Sequence, residues 1–467
     1  RRLAGEIAMS MWHLLQALRY VVGRAVSTRS GVAADFEKAV SEAIQLGLVQ
    51  ARRARQLIQI GWTALGFVLG GRDVFQLVTA MRNHDATRDR DLSLVAQKER
   101  NVGWLSIGIL TLLFLTLLIQ TFLTPQRFWD ERAAFGIKSI VLYQDATIHS
   151  DLLSHPDFLQ YHPRYPLLIP LNETHVYLLL GEVQDRWSKV IFPLLYIGFS
   201  LTVLGVFRQE FRNHFRADLF ALMIATIPAM VFWEYGFTCG QADAPNACFH
   251  TLSVLYLWRF LRRTETHSDH HARPTLIVAG LCAAWAVFTK DEGIAFLLID
   301  ITAMLLLLIV FFRKQFLAIV MQSAPFFTAV AVGIIPWFLH RSGLPTTTEM
   351  DYFARIGSTS LSSEISDLEW SMRHLLQRMF IEVSDWGLQW WCVVVSAITF
   401  PRRAFRPSQL FVILNIAGAL IALTIAGMIA PTPVEEHIGG SSHRFLIQIS
   451  GCAVLFVAGQ WADDDLR

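Results

Sequence analysis

The stretch "GWLSIGILTLLFLTLLIQTFL" (residues 103–123) has no charged residue over 21 positions. A bilayer core of about 30 Å is crossed by about 20 apolar residues in a helix, so this run predicts a membrane span. It leads directly into "TPQRFWDERAAFGIK" (124–138). Two adjacent carboxylates, Asp130 and Glu131, thus sit where the chain leaves the bilayer. Beyond them Ala133, Ile137, Ile140 and Val141 recur at helical spacing, which predicts a helix with one face on lipid. An acid opening such a helix has two readings. It caps the helix, a common use of Asp, or it acts on something at the membrane surface.

Working outward, the chain is 53% hydrophobic and 17% charged, the composition of an all-α polytopic membrane protein. Ten segments have the length and character of spans: 103–123, 187–207, 217–233, 247–261, 274–289, 293–312, 316–339, 382–399, 409–429 and 444–461. Basic residues group in four of the connections: Arg208, Arg212 and Arg216; Arg259, Arg262, Arg263 and Arg273; Arg313 and Lys314; Arg402, Arg403 and Arg406. All four fall on one side if the first span leaves the cytoplasm after "QKER", so the positive-inside rule puts both ends of the core in the cytoplasm. A multi-pass protein of the cytoplasmic (inner) membrane is expected. Residues 1–100 read as a cytoplasmic or interfacial helical region of unknown role, without a cleavable signal. Residues 101–467 read as the membrane module. The five cysteines have no CxxC spacing and make neither a zinc site nor a disulfide framework. A Cys239–Cys248 bridge stays open as an alternative.

The opposite, extracytoplasmic side receives 124–186, 234–246, the corner 289–293, 340–381 and 431–444. Chemistry-bearing residues collect there. "YHPRYPLLIPLNETHVYLLLG" (161–181) places His162 and Arg164 before a short apolar helix; an interfacial turn with snorkelling charges would look the same. "GQADAPNACF" sets Asp243 between two spans, where an acid needs a partner or a task. "VFTKDEGIAF" holds Lys290, Asp291 and Glu292 in a tight corner, either a site or a neutralised turn. "IIPWFLHRSG" ends on Trp337, His340 and Arg341, and "EEHIGGSSHRFL" brings His437, His443 and Arg444. The two histidines flank a flexible Gly-Gly and lack helical ligand spacing, so no metal is expected. The His-rich "THSDHHAR" (266–273) reads as a solvated cytoplasmic loop.

Together these pieces resemble the lipid-dependent GT-C glycosyltransferases, in particular the bacterial group of aminoarabinose transferases and protein O-mannosyltransferase-like enzymes. The resemblance rests on an ordered series over about residues 101–467: "WDE", "HPRYPLLIPL", "ADAP", "TKDEG" and "PWFLH". One departure stands out: the family's "HPP" is His162-Pro163-Arg164 here. The resemblance implies a GT-C-type helix bundle with interfacial helices in the first large loop. It also implies inverting transfer of a sugar from a polyprenyl-phosphate donor to a lipid, glycan or protein acceptor hydroxyl outside the cytoplasm.

In that chemistry a carboxylate takes the acceptor proton. Asp130 matches the family's acid, with Glu131 and Asp243 as further catalytic candidates. Cations stabilise the departing phosphate: His162, Arg164, Lys290, His340, Arg341 and Arg444 are the candidates. Trp129, Tyr165, Glu292, Trp337 and His437 are expected to line the substrate. No cofactor is expected beyond the lipid-linked sugar itself, and the partners are membrane lipids and the two substrates, with no nucleic acid. Two other classes stay in view. A transporter or flippase would put ionisable groups near the midplane and often shows repeats; a scaffold would use the charged loops for docking.

Overall fold

The computed structural model describes residues 90–232, 235–266, 272–345, 361–428 and 433–462. The chain divides between residues 84 and 85, and the described residues all belong to the second part. The expectations for residues 1–89 and for the histidines of 267–271 lie outside the described residues.

Among the described residues every regular element is helical. Seven of the ten expected spans are helices long and apolar enough to cross a membrane. They are α1 (Arg90–Leu123, apolar from Gly103), α4 (Ile191–Glu210, with a short turn before it), α7 (Ala272–Thr289), α8 (Glu292–Phe311), α9 (Ala324–Ser342), α12 (Pro407–Met428) and α13 (Val434–Ala462). Between α1 and α4 lie α2 (Ile137–Asp145) and α3 (Leu168–Leu180).

The other three segments fall short for different reasons. The segment 217–233 is split: α5 (His214–Ala225) ends and a short turn, Pro228–Phe232, begins anew. Pro228 has no N–H to continue the helix. The segment 247–261 lies inside α6 (Asp243–Glu265), which is long enough but carries Asn246, His250, Ser253 and Arg259. It is the most enclosed helix before α13, and its neighbours shield these groups from lipid. The segment 382–399 breaks at Gly387, whose φ of 61° favours glycine, leaving α11 (Gln389–Thr399) with 11 residues. Before it, α10 (Leu361–Phe380) is amphipathic and packs on α12 and α13.

Burial is inverted relative to a water-soluble protein. Leu105, Leu112, Leu123, Leu298, Val332 and Leu339 are exposed on the outside of the bundle. Asp300, Asn415, Gln448 and His250 are buried within it. Lipid tails solvate the leucines, while polar groups must find partners in the interior.

The charge clusters mark two ends. At one, the last turn of α4, the first turns of α5 and the last turns of α6 meet through Arg208–Asp218, Arg259–Glu210 and Arg263–Glu210, and Arg403, in the short turn Pro401–Ala404 before α12, donates to the Gln460 carbonyl in the last turn of α13. At the other, the start of α6 meets the α7–α8 corner and the early turns of α13. The 22 residue steps from Asp243 to Glu265 make α6 about 33 Å long, so the two ends lie a bilayer core apart.

Candidate functional site

The site begins with a local distortion. Residues Asp130–Gly136 form a π-helix, a form that recurs at functional positions. The turn brings the two acids to different surroundings. Glu131 is buried, and its oxygens accept from the backbone N–H of Arg127 (2.7 Å), Phe128 (3.1 Å) and Gly240 (2.8 Å), with Lys189 Nζ at 3.4 Å. A side chain at position 240 would put its Cβ 2.8 Å from Glu131 Cγ, so glycine is what lets the carboxylate dock. Glu131 thus ties the chain leaving α1 to the segment before α6. Asp130 instead faces Arg444, with 2.6 Å between Oδ2 and Nη2, and stays partly open to solvent. The helix start has no side-chain cap, so Asp130 is not engaged as a capping residue.

Arg444 is the hub. The same guanidinium reaches Asp243 Oδ2 at 3.0 and 3.2 Å and covers the Tyr235 ring at 4.9 Å. Asp243, fully buried in the first turn of α6, also accepts from Lys290 Nζ (2.8 Å) and Gln448 Nε2 (3.2 Å) on its Oδ1. Lys290 in turn holds Glu292 at 2.6 Å. The result is an alternating chain, Asp130–Arg444–Asp243–Lys290–Glu292, assembled from four separated segments. Burial alone would push the Asp243 carboxyl up; Arg444 and Lys290 more than reverse this and hold it at about 2. The tight α7–α8 corner that presents Lys290 depends on Gly293, where a Cβ would fall 2.3 Å from the Ala286 backbone.

The neighbouring Asp291 takes a two-pronged pair from Arg341 at 2.6 and 3.0 Å. Lys290 and Arg341 are therefore gathered at one corner although 50 positions separate Asp291 from Arg341. Tyr165 lies among all of these groups. Burial first, then Glu292, Asp130 and Asp291, push its phenol well above the ordinary range, so it remains an O–H donor. Its ring stacks on His162 at 4.7 Å, and the exposed Trp129 meets His162 edge-on at 5.8 Å. Arg164, next to Tyr165, forms no ion pair or hydrogen bond among the described residues.

Other expected residues sit elsewhere. Trp337 is buried with Val141, Leu142, Leu153, Phe158 and Leu167, where it seats the first-loop helices on α9, with the Arg341 guanidinium 5.9 Å from its ring centre. His340 faces His149 at 5.3 Å, with neither ring nitrogen hydrogen-bonded. His437 lies against Phe445 at 6.1 Å, within electrostatic reach of Lys290 and Glu292, whereas His443 lies against Tyr235. All five cysteines are free, so Cys239 and Cys248 are not bridged.

Sequence reading missed Tyr235, Gln448, Lys138, Lys189 and Glu173. Gln448 had a signal, standing four residues after Arg444 on one helix face. Lys138 and Ser139 had none: the helical pattern put Ala133, Ile137, Ile140 and Val141 on a lipid face, yet the structure buries Val141 together with Lys138 and Ser139 and leaves Ile137 and Ile140 half-buried. Glu173 is fully buried between Ser139 (2.5 Å) and Gln126 (2.9 Å). Burial pushes its carboxyl up to about 8, with Glu131 adding to the rise against the hydrogen bonds from Ser139 and Gln126.

No protein-family model and no curated protein matches this sequence. Among solved structures, the crystal structure of ArnT from Cupriavidus metallidurans bound to undecaprenyl phosphate is similar, with a TM-score of 0.48 and 13% sequence identity. The match covers 78% of this chain and 61% of that one, so this chain spans about three fifths of the length of ArnT.

Proposed function

We propose that this chain is a membrane glycosyltransferase that moves a sugar from a polyprenyl-phosphate donor to an acceptor hydroxyl at the extracytoplasmic face of the inner membrane. The observation that carries the reading is Asp130: partly open to solvent at one end of the bundle, with one oxygen fixed by an arginine that a buried acid holds from behind. Arg444 orients the carboxylate, and its second partner Asp243 fixes Arg444. An acceptor O–H placed against Asp130 gives up its proton to the free oxygen as its own oxygen attacks the anomeric carbon. The bond from that carbon to the phosphate oxygen breaks, and the polyprenyl phosphate leaves with the electron pair. A single base opposite the leaving group inverts the anomeric centre, as in inverting hydrolases.

Charge grows on the phosphate, and a cation without a carboxylate partner meets it most effectively. Arg164 has that character, in the position where the resembling family has proline. His162, stacked on the neighbouring Tyr165, stands beside it in the chain, while Arg341, paired with Asp291, and His340 are further phosphate-binding candidates. Lys290 and Arg444 support this reading more as the scaffold of Asp243 and Asp130 than as phosphate ligands. Glu131, consumed by backbone N–H groups, belongs to the frame. The arginine-rich end of α6 is assigned to the cytoplasm. Residues 101–467 form the catalytic module, with residues 1–100 an appendage.

A transporter is the second reading, and one observation favours it: Asp300 is buried inside the bundle, accepting from Ser253 Oγ at 2.7 Å, with His250 buried nearby on α6. Intramembrane acids commonly mark transport paths. A radiolabelled polyprenyl-phosphate sugar separates the two in sealed vesicles. Transfer of label to a hydroxyl acceptor, lost in Asp130→Asn, is the expected result. Label crossing the vesicle unchanged, or equal transfer by the variant, overturns it.

A further inference from the structure

Lys138 is a lysine whose side chain is wholly buried, in α2, two residues beyond the end of the π-helix that carries Asp130. Among the described residues no carboxylate lies within ion-pair distance of it. Its Nζ donates instead to the main-chain carbonyl of His162 at 2.5 Å and lies 3.5 Å from that of Tyr165. The ammonium position is 5.4 Å from the centre of the Tyr165 ring. The loop it grips is unusual in its own right. His162 has φ +51°, the left-handed region that a non-glycine residue adopts only when surroundings hold it there. Its ring stacks on Tyr165 with a 16° angle between planes.

We infer that Lys138 is a positioning residue: it holds the His162–Tyr165 loop in one conformation and so fixes Arg164 and Tyr165 relative to Asp130. The His162 carbonyl also closes the turn on the Tyr165 N–H at 2.9 Å, so the lysine adds a second donor to that acceptor and reaches the Tyr165 carbonyl as well, tying the turn to α2. The hold runs through the lysine stem to α2, which continues directly from the π-helix. The loop and Asp130 are therefore referenced to the same rigid element.

Burial drives the Lys138 amine down to about 7, with Asp291 raising it and Arg341 lowering it. Deprotonation does not break the hold. A neutral amine still has two N–H groups, one for each carbonyl, and its burial no longer carries the cost of a charge. The group is thus suited to be a fixed strut across the neutral range, where an exposed lysine would be a salt-dependent tie.

That Arg164 meets a donor phosphate rests on the proposed glycosyltransferase reading; the strut itself does not. Backbone hydrogen exchange over residues 161–167, measured in full-length protein in detergent or nanodiscs, tests it directly. Lys138→Met keeps the length and apolar stem and removes both donors. Exchange in 161–167 is expected to rise at least 10-fold while exchange in α7 and α8 stays unchanged. Lys138→Gln, which retains N–H donors on a shorter side chain, is expected to fall between wild type and Met. Wild-type protection of this segment, corrected for intrinsic rates, is expected to hold from pH 6 to 9. Unchanged exchange in Lys138→Met overturns the inference. So does wild-type protection that collapses above pH 7, a measurement that stands even where the Met variant does not fold.

Binding of a polyprenyl-phosphate sugar supplies the second arm. Weaker donor binding with kcat reduced less than KM rises supports the positioning role. If wild type binds no donor while exchange responds as expected, the strut stands and the glycosyltransferase reading falls.

Discussion

The two ends of α6 are built from the same parts and put together differently. At the arginine-rich end, Asp218 receives two hydrogen bonds from Arg208, at 2.6 and 2.7 Å, and a third from Ser106. Glu210 is held by both Arg259 and Arg263. There the acids are saturated and the cations are in excess. At the other end one guanidinium, Arg444, is divided between Asp130 and Asp243. Asp130 has one oxygen fixed and is otherwise partly open, and Arg164 forms no ion pair among the described residues, its buried Nε without a hydrogen bond. Saturated pairs fasten helices to one another. An unsaturated chain leaves a carboxylate and a cation available for chemistry.

The largest expected effect tests that contrast at its sharpest point. Asp130→Asn keeps the shape and removes the base. Transfer is expected to fall about 10²–10⁴-fold, the usual worth of a positioned base, with the thermal midpoint little changed. Asp218→Asn at the opposite end is expected to do the reverse: a lower midpoint with per-molecule activity kept. Equal activity losses from the two substitutions would erase the distinction between the ends.

Next comes the buried acid itself. Asp243→Asn removes the buried acid that Arg444 and Lys290 share, leaving Arg444 only Asp130 and Lys290 only Glu292, and breaking a buried ion pair costs up to about 3–5 kcal/mol. Thermal unfolding in detergent should show that loss. At this end, though not for Asp218→Asn, added polyprenyl phosphate should restore part of the midpoint, because two cations left one carboxylate short gain an anion. No recovery with the lipid would argue that these cations are structural only.

How much of this was legible beforehand follows from where the driving forces are local. The spans were readable because apolar length is a property of consecutive residues, as in 103–123. The charged corner at Lys290–Glu292 was readable because two spans leave no room for a linker. What was not readable depends on partners distant in sequence. Nothing local to "DE" says that Asp130 turns to Arg444 while Glu131 turns to the Gly240 amide, over 100 positions away. The α2 helix misled because its pattern put Val141 on a lipid face with Ile137 and Ile140, whereas the folded first loop covers Val141 and Leu142. The polar residues Lys138 and Ser139 turn inward to satisfy backbone and carboxylate groups. Trp337 reads as a substrate-lining aromatic, and its burial was not readable because only the folded first loop supplies the cover of Leu153 and Phe158.

A smaller effect concerns the frame beside the site. Glu173 has a folded-state pKa of about 8, raised chiefly by burial, well above that of an unfolded chain. A raised acid stabilises the fold below its unfolded pKa and loses that contribution as pH rises through the folded value. Stability should therefore decline between about pH 4.5 and 8, by at most about 1.4 kcal/mol per pH unit from this group. Glu173→Gln keeps a hydrogen-bonding amide for Ser139 and Gln126 and should flatten that slope. A slope unchanged in the variant would place the titrating group elsewhere.

The smallest expected effect belongs to the arginine-rich end and follows from its redundancy. Glu210 has two arginines, Arg259 at 2.7 Å and Arg263 at 3.1 Å. Arg259 is the more buried of the two and is further braced by Gln209 at 2.5 Å. Arg263→Ala thus leaves Glu210 paired and removes only a partly exposed contact, worth under about 1 kcal/mol. Arg444→Ala, by contrast, frees Asp130 and strips Asp243 of one of its two cations in a single step. It should abolish transfer and lower the midpoint together. The ratio of the two effects measures how far each end depends on a single guanidinium. Were Arg263→Ala as damaging as Arg444→Ala, the arginine-rich end would be no more redundant than the site, and the difference in charge saturation would have no energetic consequence.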